Sequence, residues 1–140
     1  MMAIAVIVII ILFILALAVY MGMLDRLHIL PRPRPGQIRV ACVGDSITYG
    51  FFVCGQLWNS YPSVLQKMLG EDYCVGNFGF SNRTASEDGD YPYTAEKLYK
   101  KSLDFQPDIV LIMLGSNDSK PNNWKAESYA RSLARLAESY

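Results

Sequence analysis

The chain has 140 residues, and its 13 basic and 13 acidic side chains cancel to a net charge of zero. No basic run interrupts this balance, so the composition argues against a nucleic-acid-binding surface, and we expect no nucleic-acid partner. The three cysteines have no C-x-x-C spacing, and their odd number predicts neither a zinc site nor a disulfide framework. We therefore expect no metal and no cofactor.

The N-terminal 24 residues contain no charged side chain, and residues 3–19 are all Ile, Val, Leu, Ala or Phe. A run of this length predicts a single transmembrane helix over residues 1–24, in contact with the lipid bilayer. A cleaved signal peptide is the alternative, because Ala16-Leu17-Ala18 has the small-x-small pattern of a cleavage site. No Lys or Arg precedes the run, however, and it continues to Leu24, so the sequence favours an uncleaved anchor.

Residues 25–37 form a predicted linker in which Pro and Arg alternate, a pattern that favours an extended, semi-rigid spacer. Arginines follow the apolar run at positions 26, 32, 34 and 39. By the positive-inside rule these arginines would place the next domain in the cytoplasm.

Residues 38–140 predict one domain in which strand-like and helical patterns alternate. Apolar runs predict three strands, at residues 38–43, 73–75 and 109–114. Amphipathic patterns predict three helices, within residues 61–69 and near residues 94–104 and 126–140. The third run is apolar at every position, as expected for a strand buried on both faces. This alternation predicts an α/β fold with a parallel sheet.

Small polar residues follow each predicted strand. Gly44-Asp45-Ser46-Ile47-Thr48 follows the first strand, Asn77 to Thr84 follows the second, and Gly115 to Asp118 follows the third. The carboxyl ends of parallel strands lie at one edge of a sheet, so we expect the three loops to meet there. A serine on the turn leaving a strand is a candidate nucleophile, although the spacing differs from the G-x-S-x-G elbow. The alternative is an ordinary turn in which Ser46 caps a helix.

Together the three loops resemble the SGNH (GDSL-type) hydrolase family, and the third is most similar to the carbohydrate or sialate O-acetylesterase-like branch. The resemblance covers residues 38–140. It implies a flavodoxin-like three-layer fold, truncated here to about three parallel strands. It also implies an esterase that hydrolyses carboxylic esters, O-acetyl or other short acyl groups, through an acyl-serine. The substrate would be a small molecule or a carbohydrate.

The resemblance also assigns site residues. Ser46 matches the family nucleophile, and its own N–H would be one oxyanion donor. The side-chain amide of Asn117 would be another donor. Asn82 stands where the family usually has a glycine whose backbone N–H completes the oxyanion site. Asn retains that N–H and tolerates left-handed backbone geometry better than most residues.

One family block has no counterpart in the sequence. The family's Asp-x-x-His block supplies the general base, whereas the single histidine here is His28, before the first strand. We expect His28 to be a solvated residue beside the membrane. Asp45 and Asp118 lie near the candidate site, but ordinary carboxylates are weak bases at neutral pH. A missing C-terminal segment or a partner chain would therefore have to complete the site.

Two other functions remain open at this stage. The chain could be an inactive, truncated member of the family, or a flavodoxin-like module that binds a small ligand. The second has no G-x-G-x-x-G or Walker pattern to support it. The family resemblance favours a domain outside the cytoplasm, against the arginines. Trp58 and Trp124 lie in loops near the predicted site, where we expect packing under a loop more than the lining of a pocket.

Overall fold

The computed structural model describes residues 2–24 and 28–140. Its helices are α1 (Met2–Leu24), α2 (Ser46–Tyr49), α3 (Gln56–Asn59), α4 (Tyr61–Leu69), α5 (Lys97–Asp104) and α6 (Ala126–Glu138). Its strands are β1 (Ile38–Gly44), β2 (Tyr73–Gly79) and β3 (Ile109–Met113), and a short 3₁₀ turn at Tyr93–Ala95 precedes α5.

The N-terminal helix α1 contains no charged residue, and the side chains described for it, Ile4 and residues 6–17, are exposed. No helix in the part of the chain that the structure describes is long and apolar enough to span a membrane. The structure therefore does not support the predicted transmembrane helix or its contact with lipid. Residues 25–27 of the predicted linker lie outside the described residues.

The three strands form one parallel sheet in the order β2-β1-β3. Alternate residues of the central strand β1 point to opposite faces, because side chains alternate along a strand. Val40 and Cys42 pack with Val75 on one face, beneath α4. On the other face, Ala41 and Val43 belong to a core cluster that also contains residues of α5 and α6. Helices on both faces make three layers, which confirms the predicted α/β architecture.

The predicted element boundaries hold best for α4, whose bounds are those of the apolar stripe. Strand β2 is longer than predicted and runs to Gly79, so Asn77 belongs to the strand and the second loop begins at Phe80. Asn77 is a weak strand former, but its pairing with Cys42 of β1 fixes its backbone. Helix α5 is shorter than predicted, because a 3₁₀ turn replaces its first residues.

The prediction that β3 is buried on both faces is wrong. Ile109, Leu111 and Met113 are 44%, 40% and 44% exposed. These three side chains lie on the same face of the sheet as Val40 and Cys42. Side chains of α4 cover that face over β1 and β2, whereas β3 lies at the edge of the sheet. The opposite side of β3 packs into the core through Val110 and Ile112, among other residues.

The segment before β1 contacts both ends of β2. The side-chain amide of Gln37 donates to the carbonyl of Glu71 at 2.7 Å, at the start of β2. At the other end of the strand, His28 Nε2 lies 2.8 Å from the carbonyl of Gly79. Residues 28–37 thus bond carbonyls just before and at the end of β2, while Gln66 of α4 bonds the Tyr73 carbonyl and the Val75 N–H within the strand.

The three cysteines are predicted to differ sharply in reactivity. Burial raises the pKa of the Cys42 thiol to about 11, with partial compensation from the Tyr61 hydroxyl, and burial also raises the pKa of Cys74. Cys54 is exposed. At about pH 8, where the thiolate is the reactive form, we expect one thiol per folded chain to react rapidly with a disulfide reagent. All three should react after denaturation, and rapid reaction of two or three in the folded chain would contradict the burial of Cys42 and Cys74.

Candidate active site

Ser46 is the first residue of α2, directly after the central strand. The cap of this helix is Asp45, whose carboxylate accepts the backbone N–H of Ile47 at 2.9 Å. The alternative that Ser46 itself caps the helix is therefore wrong. The first N–H groups of a helix have no partner within the helix, so the N–H of Ser46 is in position to serve a ligand at the strand end.

Two glycines allow α2 to lie close against the ends of two strands. A Cβ added to Gly44 would overlap the Thr48 hydroxyl, and one added to Gly79 would overlap the backbone N–H of Tyr49. The ends of β1 and β2 are also joined by a hydrogen bond from the Phe80 N–H to the Gly44 carbonyl at 2.9 Å. Only glycine at both positions leaves room for the backbone of this turn, which sets the position of Ser46.

Asn82, which follows β2, has the left-handed backbone conformation expected from its place in the family pattern, with φ at +66°. The next residue fixes this loop: the Arg83 guanidinium forms an ion pair with Glu96 and donates to the Ser81 carbonyl at 2.8 Å. It also lies over the Phe80 ring, 4.3 Å from its centroid. The loop around Asn82 is thus held by one half-buried cation.

The positive φ of Asn82 predicts an unusual order of stability at this position, with the glycine variant more stable than the alanine variant. A left-handed conformation costs most L-residues roughly 1–2 kcal/mol, and glycine almost nothing. We expect Asn82→Ala to lower the free energy of unfolding by about 1 kcal/mol and Asn82→Gly to leave it nearly unchanged. Urea denaturation measures both. Ser116 is an exposed control without a positive φ, at which glycine should be less stable than alanine, and the same order at both positions would contradict the argument.

Asn117, which follows β3, joins the other two loops. Its side-chain amide donates to the Arg83 carbonyl at 3.1 Å and to the Asp45 carboxylate at 3.3 Å. Asn117 is 8% exposed, and its own carbonyl accepts the side-chain amide of Asn123 at 3.0 Å. The structure thus brings the Asn117 amide between the residue that precedes Ser46 and the residue that follows Asn82. The roles of Ser46, Asn82 and Asn117 in catalysis stay predictions.

Asp118 holds the third loop against the second. Its buried carboxylate accepts the backbone N–H groups of Ala85 and Ser86 at 2.9 and 2.7 Å. These two bonds fix the distance between the chain that leaves β3 and the loop that contains Asn82. Asp118 was only a weak candidate base in the sequence, whereas in the structure its carboxylate holds two backbone N–H groups of the neighbouring loop.

We expect Asp118→Asn to lower the free energy of unfolding by about 2 kcal/mol, because an amide can accept only one of the two N–H groups and its NH₂ faces the other. Asp108 is a matched control: its carboxylate also accepts a backbone N–H, from Arg39 at 2.7 Å, but it is exposed. Asp108→Asn should therefore cost less. Equal losses in denaturant unfolding would show that burial of Asp118 does not determine the effect.

No candidate base contacts Ser46 in the described part of the chain. His28 is half-buried between the Tyr49 and Phe80 rings, and its Nε2 faces the Gly79 carbonyl, so the expectation of a solvated histidine is wrong. A carbonyl only accepts, so Nε2 donates there. Burial raises the pKa of the Tyr61 phenol, which lies 3.3 Å from the Thr48 hydroxyl, and so keeps it protonated. Within the described residues, no group of His, Cys, Asp and Glu side chains is placed to hold a metal ion.

Ser46 thus lies on the turn after the central strand of a parallel sheet, and Asn82 and Asn117 lie on the turns after the strands on either side. Residues 42–139 match the model of the GDSL-like lipase/acylhydrolase family, and the chain belongs to that family. The resemblance predicted from the three loops is confirmed.

Individual relatives agree with this membership. An acetylxylan esterase from Xylanibacter ruminicola is 49% identical over 105 residues, which cover 75% of this chain and 22% of that protein. The structure of an aryl esterase from M. smegmatis is similar with a TM-score of 0.62 at 26% identity, over 73% of this chain and 54% of the esterase. A carbohydrate acetylesterase from Sinorhizobium meliloti shares the fold with a TM-score of 0.60 at 23% identity, over 74% of this chain and 54% of that enzyme. The chain thus spans about half the length of these solved structures and about a fifth of the acetylxylan esterase.

Proposed function

We propose that the protein is an esterase that removes short acyl groups, in particular O-acetyl groups, from a carbohydrate or another small-molecule substrate through an acyl-serine. The observation that carries this proposal is the position of Ser46, at the end of the central strand in a chain that belongs to the GDSL-like family. The acetylxylan esterase and the carbohydrate acetylesterase among the relatives support the choice of acyl group and substrate.

In this proposal the Ser46 hydroxyl oxygen attacks the ester carbonyl, and its proton passes to a general base. The carbonyl oxygen becomes an oxyanion that accepts hydrogen bonds from the N–H of Ser46, the N–H of Asn82 and the side-chain amide of Asn117. Both hydrogens of the Asn117 amide are donated in the structure, and we expect the longer bond, to Asp45 at 3.3 Å against 3.1 Å to Arg83, to be given up when the oxyanion accepts. Collapse expels the alcohol, and water then hydrolyses the acyl-serine.

The proposed reaction also needs a general base for Ser46. His28 is the only histidine in the sequence, and its Nε2 is bonded to a backbone carbonyl. We propose that an imidazole from a C-terminal Asp-x-x-His segment, or from a partner chain, activates Ser46. A remnant without activity and a small-ligand binding module remain alternatives, but the family match does not favour them.

Because the general base is proposed to come from another segment or chain, the 140-residue chain alone should have little activity. We expect hydrolysis of p-nitrophenyl acetate to be weak, because a serine without a base is a poor nucleophile. Oxyanion donors alone can leave about a thousandfold catalysis over water, so some Ser46-independent activity is compatible with the proposal. Fusion of a C-terminal segment that contains Asp-x-x-His should raise the rate by orders of magnitude, and Ser46→Ala should abolish that gain.

His28→Ala serves as the control in the same assay and should leave the rate unchanged. Rapid turnover by the chain alone, lost in Ser46→Ala, would show that another group within these residues is the base. A fused chain whose rate does not depend on Ser46 would overturn the acyl-serine proposal.

Attachment to a membrane stays a proposal that rests on the sequence of residues 1–24, and the proposed position of the domain outside the cytoplasm rests on the family resemblance. Alkaline carbonate extraction of cells that express the full chain tests it. An anchored chain should remain in the pellet, and release of the full-length chain into the supernatant would contradict the anchor.

A further inference from the structure

The loop after α2 carries aromatic and apolar side chains that the core does not use. We call residues 51–58 the aromatic loop, although its last three residues, including Trp58, belong to the short helix α3. Phe52 is 80% exposed and Trp58 is 64% exposed, and Val53 and Leu57 are each 39% exposed. None of them belongs to either core cluster. Contiguous apolar surface on a folded domain commonly marks a binding site.

The aromatic loop is held in place by hydrogen bonds at both ends. The side-chain amide of Gln56 donates to the Tyr49 carbonyl at 2.7 Å, and that of Asn59 donates to the Cys54 carbonyl at 2.8 Å. The Lys67 ammonium donates to the Trp58 carbonyl at 2.7 Å. Phe52 has φ at +61°, a conformation that costs an aromatic residue energy. The loop thus fixes exposed aromatic side chains in one place at a cost to stability, as expected of a preorganised binding surface.

The aromatic loop is continuous with the candidate active site. The carbonyl of Ser46 accepts the N–H of Gly50 at 3.0 Å and the N–H of Phe51 at 2.9 Å. The first residue of the aromatic loop is therefore hydrogen-bonded to the candidate nucleophile itself. The aromatic loop thus begins shortly after the candidate nucleophile in the chain, and the two cavities beside it are lined by residues other than Ser46, Asn82 and Asn117.

The aromatic loop itself carries no charge, and Lys67, which lines the smaller of the two cavities beside it, donates to the Trp58 carbonyl. No residue from 46 to 66 is charged. Cavities of about 330 and 460 Å³ share Gln56, Leu57 and Trp58 as lining residues, so the indole borders both, and their volumes are those of small-ligand sites. The smaller cavity is also lined by the polar residues Asn77 and Ser63, whose side chains already donate to the carbonyls of Tyr49 and Leu57. Aromatic faces pack on the C–H faces of sugar rings while amides and hydroxyls bond the sugar hydroxyls, whereas an acyl chain needs no such polar groups.

We propose that the aromatic loop binds the neutral sugar of the ester substrate, with one sugar ring stacked on the indole of Trp58. This assignment rests on the proposed esterase function, and it names a carbohydrate, not a lipid, as the alcohol of the ester. Trp58 is then a specificity-determining residue that acts on substrate affinity and takes no part in bond breaking.

Titration of the full chain with xylotetraose, which carries no ester, separates binding from hydrolysis. The sequence has two tryptophans, so two indole N–H signals are expected in a ¹⁵N-correlation NMR spectrum. We expect the Trp58 signal to shift in a saturable way and the Trp124 signal to stay. Trp124 is a matched control, because it is 53% exposed on a loop at a different place in the chain.

Substitutions give the quantitative test. Trp58→Ala should weaken xylotetraose binding at least about tenfold, and Trp124→Ala should change it by less than about twofold. Trp58→Phe keeps an aromatic face and should retain most of the affinity. If Trp58→Ala fails to fold, the signals of the unmodified chain and the Phe variant still decide the question.

Three results would overturn the proposal: no shift of the Trp58 signal, equal shifts of both signals, or a Trp58 shift with neutral phosphatidylcholine vesicles and none with xylotetraose. The last would identify a lipid surface as the partner. Binding at Trp58 without Ser46-dependent hydrolysis in the fused chain would refute the esterase proposal alone. Ser46-dependent hydrolysis without binding at Trp58 would refute the sugar-binding loop alone.

Discussion

The side-chain amide of Asn117 is the contact on which the arrangement of the candidate site depends. It donates to Asp45 after the central strand and to the Arg83 carbonyl after the neighbouring strand, and so joins the ends of all three strands. Asn117 is buried, and the loss of such a bond leaves a polar group without a partner, at a cost of about 1–3 kcal/mol. The three loops therefore cannot move independently, and the distance between Ser46 and the predicted oxyanion donors is set by the sheet.

A gain in stability does not by itself explain why two carboxylates are buried at the carboxyl ends of the strands. Asp45 and Asp118 are 0% and 1% exposed. Removing a carboxylate from water costs several kcal/mol unless hydrogen bonds replace the solvent, and apolar replacements of buried ionic groups are often neutral or stabilising. Here each carboxylate accepts backbone N–H groups. Asp45 accepts that of Ile47 in α2, and Asp118 accepts those of Ala85 and Ser86 in the second loop. Both are better explained as groups that hold the site loops in register.

Local patterns in the sequence predicted the elements whose structure depends on local interactions. Helix α4 has an amphipathic stripe, a proline in its first turn and a glycine after its last residue, and its bounds are as predicted. The extension of β2 to Gly79 depends on pairing with β1, which no local pattern reports. The same limit applies to the site. The motif predicted where Asn82 and Asn117 lie. It did not predict the ion pair of Arg83 with Glu96 or the contact of His28 with the carboxyl end of β2, because these contacts join residues distant in sequence.

The topology explains why the nucleophile and the oxyanion donors can be positioned without the base. The chain leaves the central strand β1 toward β2, with α4 on one face, and returns past it to β3, with α5 on the other. A crevice forms at the carboxyl ends of the strands where the chain reverses direction in this way. The side-chain bonds of Asp45 and of the Asn117 amide, and the bond that joins the ends of β1 and β2, are made within residues 44–118 and include no imidazole. An imidazole that reached this crevice from outside those residues would meet a serine already held by the sheet, so its arrival would add proton transfer without having to build the site.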